Sequence, residues 1–467
     1  MNSENVVQKI WGLCHILRGD GVSYHEYISE LTYLLFLKIA EENNTEYFIP
    51  YGKRWNDLVS YKGDDLLNYY REMLTYLGAH APSEKVREIY SFPTTVFSHS
   101  ENLKAVIEGI AKLDWHSITI DGMGDIYEGL LAKNSQDARS GAGQYFTPRP
   151  LVDCMVKLMQ PALGEVIQDP ATGTGGFLIS ADHYVRSRVT DGEYKANPPV
   201  YEGVEIEKGT YRICLMNAFL HQLESNLILG DALTDDAMGL RPADVILANP
   251  PFGAKAGSAR KQRKDISFLS TNKQLAFLQH IYLGLKVGGR AAVVLPDNAL
   301  FEDGLGRKIR QELMDKCNLH TILRLPSGIF YSPGVKTNVL FFTRGKSDLG
   351  NTRKVWVFDM RHDAPKYGKK RPLRPSDFTL FESLYGKDPN GLSLRKEQDN
   401  NVRWKCFDRD FISGQADNLN ISWLGDNNDN IDDVVLEPED IAAAILLHLR
   451  TALSEIEAVV DEIAEKE

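Results

Sequence analysis

Through roughly the first 130 positions, apolar residues recur at spacings of three and four, as in Tyr27, Ile28, Leu31, Leu34, Leu35, Leu37 and Ile39. That is the period of helices burying one face, and a helical domain is predicted there. Its dense aromatics (Tyr24, Tyr27, Tyr33, Phe36, Tyr47, Phe48, Tyr51, Trp55) read as helical core, with a base-stacking surface as the alternative. From Glu165 the texture changes. Short apolar runs (EVIQD at 165, VYEGVEI at 200, NLILG at 226, ADVILAN at 243, RAAVVLP at 290, LHTILRLP at 319, TNVLFF at 337) alternate with helical stretches at 175–189, 208–222 and 272–286. The alternation predicts an α/β fold with a doubly wound, mostly parallel sheet. Residues 345–425 add a strand, KVWVFDM at 354, among basic and Gly/Asn-rich loops. After Pro438, at a first helical position, Ile441, Ile445, Leu449, Leu453, Ile456, Val460 and Ile463 mark one long amphipathic helix.

The 467 residues, 43% hydrophobic and 25% charged, are enough for two to four domains and exclude a disordered or collagen-like chain. No apolar run approaches the ~18 residues of a membrane span, and the N-terminus lacks the marks of a signal peptide. A cytoplasmic protein with no membrane partner is expected. Cys14, Cys154, Cys214, Cys317 and Cys406 are scattered, with no C-x-x-C pair, and read as reduced core residues rather than disulfide or metal ligands.

A net charge of -11 looks unfavourable for a polyanionic partner. Its distribution reverses that impression. Residues 426–467 hold 13 acidic residues against two basic ones, which accounts for the whole excess. Residues 1–139 carry -7, and residues 140–425 carry +7. Lys255, Arg260, Lys261, Arg263 and Lys264 form one basic cluster, and Lys366, Lys369, Lys370, Arg371 and Arg374 a second. Each reads as a phosphate-contacting loop or as an ordinary solvated one.

Asp169-Pro170-Ala171-Thr172-Gly173-Thr174-Gly175-Gly176-Phe177 closes the first strand of the sheet and opens a helix, where a glycine turn lets backbone approach a ligand. The glycines are bunched, unlike a dinucleotide G-x-G-x-x-G, and the next strand-end acid, Glu205, comes 32 residues after Gly173. An acid at that place can accept both hydroxyls of a ribose, or it is simply solvated. Asn249-Pro250-Pro251-Phe252 follows ADVILA and is the most informative tetrapeptide. Two prolines remove two donors and stiffen the turn, leaving the Asn side-chain oxygen and the Pro250 carbonyl as acceptors beside an aromatic face. Such a pocket suits a planar exocyclic amine, whose N–H bonds it can hold while the phenyl ring stacks on the heterocycle.

With these residues the sequence resembles the S-adenosylmethionine-dependent amino methyltransferases, in which D-P-x-x-G-x-G-G and N-P-P-F are the cofactor and catalytic motifs. Gly143-Gln144-Tyr145-Phe146-Thr147-Pro148-Arg149-Pro150, Pro326-Ser327-Gly328-Ile329-Phe330 and Lys336-Thr337-Asn338-Val339-Leu340-Phe341-Phe342 narrow the resemblance to the modification (M) subunits of type I restriction-modification systems. It is strongest over residues 120–345. The resemblance implies a Rossmann-like methyltransferase sheet in a catalytic domain at 136–425, a helical domain at 1–135, and an acidic C-terminal helix at 426–467 that is a candidate for docking a partner or else packs on its own domain.

The resemblance also implies roles for single residues. Gln144, Tyr145, Phe146, Thr147, Pro148 and Arg149 would contact the methionine part of S-adenosyl-L-methionine, with Asp169 and the turn Thr172, Gly173, Thr174, Gly175. Glu205 would take the ribose, Ile206 would lie against the adenine, and Asp231 would bond the adenine amine unless it only caps a turn. Asn249, Pro250, Pro251 and Phe252 would bind a target adenine flipped out of double-stranded DNA, at a cost of a few kcal/mol. Phe330 is a candidate second stacking ring or a core residue. Transfer to adenine N6 needs no covalent intermediate; cytosine C5 methylation needs a Pro-Cys nucleophile, and none of the five cysteines follows a proline. No space remains for a DNA-reading module, so a separate specificity subunit is expected, bound by two M subunits, with a restriction subunit in the full complex. The alternatives are another N-P-P-F/Y enzyme acting on protein glutamine or ribosomal-RNA guanine, and a non-catalytic assembly subunit of this fold.

Overall fold

The computed structural model describes residues 3–18, 24–113, 115, 127, 129–130, 147–253, 263, 265–330, 336–365, 367–368, 371–398 and 401–424. The C-terminal segment read as a docking helix lies outside them. The chain forms two compact units, one of Met1–Phe146 with Gly173–Gly175 and Glu207–Glu224, the other of Thr147–Thr172, Gly176–Ile206 and Ser225–Glu467.

The first unit is helical, with helices Ser3–Arg18, Tyr24–Glu42, Trp55–Ser60, Asp64–His80, Glu84–Ile89, Ser100–Ala111 and Lys208–Leu220. Every residue of the apolar series from Tyr27 to Ile39 is buried, as are Tyr33, Phe36 and Trp55, so these aromatics are core. Tyr47 and Tyr51, at 81% and 88% exposure, stand outside it. The helix Lys208–Leu220 belongs to this unit although the sequence places it between strands. Its Ile213, Met216 and Leu220 join the helical core. Its Arg212 donates to the carbonyls of Ile89 and Ser91, each at 2.9 Å, and lies over the Tyr33 ring at 4.5 Å. Nearby, the buried Glu30 accepts from Tyr70 Oη (2.5 Å), Thr95 Oγ1 (3.0 Å) and the Val96 amide (2.9 Å). Burial pushes its carboxyl up to about 7 despite those bonds and the Arg212 charge.

The second unit holds a nine-stranded sheet in the order β3-β2-β1-β4-β5-β7-β6-β8-β9. Its strands are β1 (Val166–Asp169), β2 (Val200–Glu205), β3 (Ser225–Leu229), β4 (Ala243–Ala248), β5 (Leu285–Pro296), β6 (Cys317–Leu325), β7 (Thr337–Arg344), β8 (Lys354–Asp359) and β9 (Trp404–Asp408). β1 to β5 pair in parallel, β7 runs antiparallel between β5 and β6, β8 is parallel to β6, and β9 is antiparallel to β8. Eight of these strands coincide with the predicted runs, and the sheet is the doubly wound α/β fold that the sequence indicates. The central strands are buried along their length (all of β1, and the last eight residues of β5), so that even the polar Gln168, Asp169 and Arg290 are enclosed. The chain moves outward from β1 to β2 and β3, then returns to lay β4 on the other side of β1. Such a reversal opens a crevice at the carboxyl ends of β1 and β4, where the Asp169 turn and Asn249 both lie. Among the described residues no helix is long and apolar enough to cross a membrane.

Candidate active site

The turn after β1 is built by its own polar side chains. Asp169 Oδ1 accepts from the Ala171 amide (3.0 Å), and the Thr172 hydroxyl donates to the Asp169 carbonyl (2.8 Å). The Thr172 amide reaches the Val204 carbonyl at 3.0 Å, tying the turn to the end of β2. Gly173 and Gly175 take φ of +56° and +86°, a region that side chains avoid, and the Thr174 carbonyl accepts from Asn217 Nδ2 at 2.9 Å. Close approach explains Gly203 in β2. A Cβ there would stand 2.3 Å from Thr172 Oγ1, which is held by the Asp169 and Val204 carbonyls and has nowhere to go. Gly203→Ala is therefore expected to destabilise this unit by about 1–3 kcal/mol, read as a lower urea midpoint. An unchanged midpoint would show that the turn is looser than described.

Two carboxylates end adjacent strands here. Asp169 is 1% exposed and Glu205 7%. Burial pushes the Asp169 carboxyl up to about 8; the Ala171 amide pulls against it, and the negative charge of Glu205 adds a smaller push upward. A cationic group with a neighbouring diol would match this pair of acceptors: the cation would relieve the buried acid, and Glu205 could accept from the hydroxyls. Directly after Glu205, Ile206 is an apolar side chain left 62% exposed, a flat surface for a ring. Asp231 Oδ1 accepts from the Leu233 amide (2.9 Å), and its carbonyl accepts from the Thr234 hydroxyl (2.9 Å), so it shapes the turn after β3.

Asn249 ends β4, half-buried, with Pro250 buried and Pro251 and Phe252 half-buried. Its Nδ2 donates to Thr147 Oγ1 at 3.0 Å. Its Oδ1 is buried and accepts from nothing among the described residues. An amide oxygen left in that state is costly unless something arrives to donate to it. The chain returns after this loop through the Lys273 amide, which donates to the Gly253 carbonyl at 3.1 Å and opens the helix Lys273–Gly284.

Other expected site residues sit less simply. Arg263 does not present a free charge: its side chain is 12% exposed and paired with Asp265, and Nη1 donates to Nδ1 of the buried His280 at 2.8 Å. Burial and that guanidinium push His280 down to about 3, which leaves it neutral and able to accept. A phosphate contact by Arg263 thus loses its support, because its charge is already used. Phe330 is 8% exposed, and two residues before it the Cβ position of Gly328 is closed by the Tyr367 carbonyl at 2.4 Å. It is a covered side chain here, as its core reading has it. Arg371 and Arg374 are exposed. Gln144, Tyr145, Phe146, Lys255, Arg260, Lys261, Lys264, Lys366, Lys369 and Lys370 lie outside the described residues. One cluster escaped the sequence reading. Arg361 grips Asp297 through Nη1 (2.9 Å) and Nη2 (2.6 Å) and donates to the Leu325 carbonyl (3.0 Å), while Asn338 Nδ2 donates to Asp297 Oδ1 (2.8 Å). It pins the carboxyl ends of β5 and β6 to the start of β7. The acid directly after LP in RAAVVLPD was the one local sign of it.

Known proteins similar to this chain are found by sequence and by structure. The profile of the N-6 DNA Methylase family matches residues 118–431, and that of the HsdM N-terminal domain matches residues 6–110. The chain is 42% identical over 511 aligned positions to the type I restriction enzyme StySPI methylase subunit of Salmonella potsdam, covering 99% of this chain and 96% of that one. The EcoKI methylase subunit of Escherichia coli K12 matches at the same identity and coverage. The crystal structure of the EcoKI M protein superposes with a TM-score of 0.57 at 38% identity, covering 98% of this chain and 96% of that one. A second solved structure, described as the basis of complex assembly and conformational transition of the type I R-M system, gives 0.72 at 25% identity with both chains covered in full.

Proposed function

This chain belongs to the N-6 DNA methylase family as a type I restriction enzyme methylase subunit, and from that premise we propose how its residues act and what it acts with. It is an adenine-specific DNA methyltransferase. The proposed donor is S-adenosyl-L-methionine. When bound, it supplies a methyl group on a sulfonium sulfur that leaves as a neutral thioether.

Asp169 would pair with the amino group of the cofactor, Glu205 would accept its ribose hydroxyls, Ile206 would lie on its adenine, and the stretch Gln144 to Arg149 with the turn Thr172 to Gly175 would surround the methionine part. Asp231 keeps its proposed bond to the adenine amine beside its turn-forming role. Asn249 Oδ1 and the Pro250 carbonyl would hold the N–H bonds of a flipped target adenine, with Phe252 stacked on its ring. This draws the N6 lone pair out of conjugation and aims it at the methyl group. The observation that carries the reading is the buried, unpartnered Oδ1 of Asn249.

The chain is proposed to act on double-stranded DNA with a specificity subunit, two methylase chains to one specificity chain, and with a restriction subunit in the full complex. The test is incorporation of labelled methyl groups into DNA by the chain alone and with its specificity subunit. Site-specific labelling is expected only from the assembled enzyme; site-specific labelling by the chain alone would overturn the partner assignment.

A further inference from the structure

We propose that Thr147 is a positioning residue for the transfer step: its hydroxyl, by accepting from Asn249 Nδ2, holds the amide with its oxygen toward the target amine. This rests on the reading of Asn249 given above and adds what fixes it. An Asn amide can turn end for end about its last torsion, and only one orientation serves the reaction. With Oδ1 forward, the amide accepts from the amine; with Nδ2 forward, two donors face each other. The two prolines that stiffen the backbone of this loop do nothing to choose between these orientations. Among the described residues one end alone has a partner: Nδ2 lies 3.0 Å from Thr147 Oγ1, and Oδ1 is left open.

Thr147 is well placed to be that reference point. It stands immediately before the helix Arg149–Met159, whose first turn is closed by the Leu151 and Val152 amides on the Pro148 carbonyl (2.9 and 3.1 Å). Pro148 and Pro150 restrict the backbone on either side of Arg149. Asp153, one turn into the helix, takes an ion pair from Arg149 (3.1 Å) and a hydrogen bond from Ser180 (2.7 Å), which fastens the helix to Gly176–Arg186. The hydroxyl is therefore carried on a fixed element, separate from the strand that carries Asn249. A hydroxyl can donate as well as accept, so its choice of the Nδ2 end rests on its own proton being given to another acceptor, which the carboxylate of the cofactor's methionine part would supply.

The test compares wild type, Thr147→Val and Thr147→Ser, each assembled with the specificity subunit. Valine keeps the shape and removes the acceptor; serine restores the hydroxyl. Thr147→Val should lower kcat by about tenfold to a hundredfold, a loss larger than any accompanying change in the equilibrium constant for S-adenosylmethionine, while the KM for DNA stays within about threefold. Thr147→Ser should return kcat to within about threefold of wild type. A Val variant that weakens cofactor binding and leaves kcat unchanged would overturn the inference, making Thr147 a cofactor contact only. Equal impairment of Val and Ser would also overturn it, in favour of packing. A wild-type complex that forms no N6-methyladenine would overturn the underlying reading and this inference together, whereas active wild type with fully active Thr147→Val overturns the inference alone.

Discussion

Asn249→Ala, assembled with its specificity subunit, is expected to lose methyl transfer by about 10²- to 10³-fold while binding cofactor and DNA nearly as wild type does. The size follows from what Oδ1 does. It is preorganised and buried, so the chain has already met the cost of desolvating it, and its interaction grows as the amine nitrogen changes geometry and its protons become more acidic. A group that acts mainly in the transition state lowers kcat when removed and leaves KM almost unchanged. Alanine leaves Pro250, Pro251 and Phe252 in place, so flipping and stacking are retained. Single-turnover kinetics with labelled cofactor would separate these effects. A variant with wild-type kcat, or one whose whole defect lies in binding, would remove Asn249 from the chemistry.

Cofactor affinity is expected to rise with pH between about 5.5 and 7.5, by up to about tenfold per unit. The cause is Asp169, whose carboxyl is pushed up to about 8 by burial and by Glu205. In the folded chain without cofactor, Asp169 holds its proton through this range, whereas an unfolded Asp loses it near its ordinary value of 3.8. The native state thus binds more protons than the unfolded one over that window, so this group costs stability as pH rises from about 4 to 8. A bound ammonium favours the carboxylate instead. Binding at pH 6.5 should then release close to one proton, measured by calorimetry in two buffers of different ionisation enthalpy. Asp169→Asn should release none and lose the pH dependence. Affinity that stays flat with pH, and no proton release by wild type, would contradict the pairing of Asp169 with the cofactor amine.

What was legible in the sequence was whatever is written locally. β1, β2 and β4 are short buried runs bounded by turn residues, and the Asp169 turn and the Asn249 loop stand at their ends in chain order. Strand order then brings those two ends together, in the doubly wound sheet that the alternating pattern already implied. Pairings between distant side chains were not legible. Thr147 meets Asn249 across 102 positions and Arg361 meets Asp297 across 64, and no periodicity encodes either. Arg263 belongs to a basic run in sequence and to Asp265 and His280 in space. The helix Lys208–Leu220 has a period that the sequence shows, but its unit is decided by where Arg212 and three apolar side chains find partners. β9 escaped notice because Trp404–Asp408 is only five residues long with a mixed face.

The most direct test is the chemical identity of the product. DNA treated with the chain and its specificity subunit, using S-adenosylmethionine deuterated on the methyl group, would be digested to nucleosides and weighed by mass spectrometry. The expected result is N6-methyldeoxyadenosine carrying three deuterium atoms, formed at least about a hundredfold more slowly when Asn249 is replaced by Ala. Label on cytosine, or label on adenine formed at the wild-type rate without Asn249, would contradict the assignment of this site.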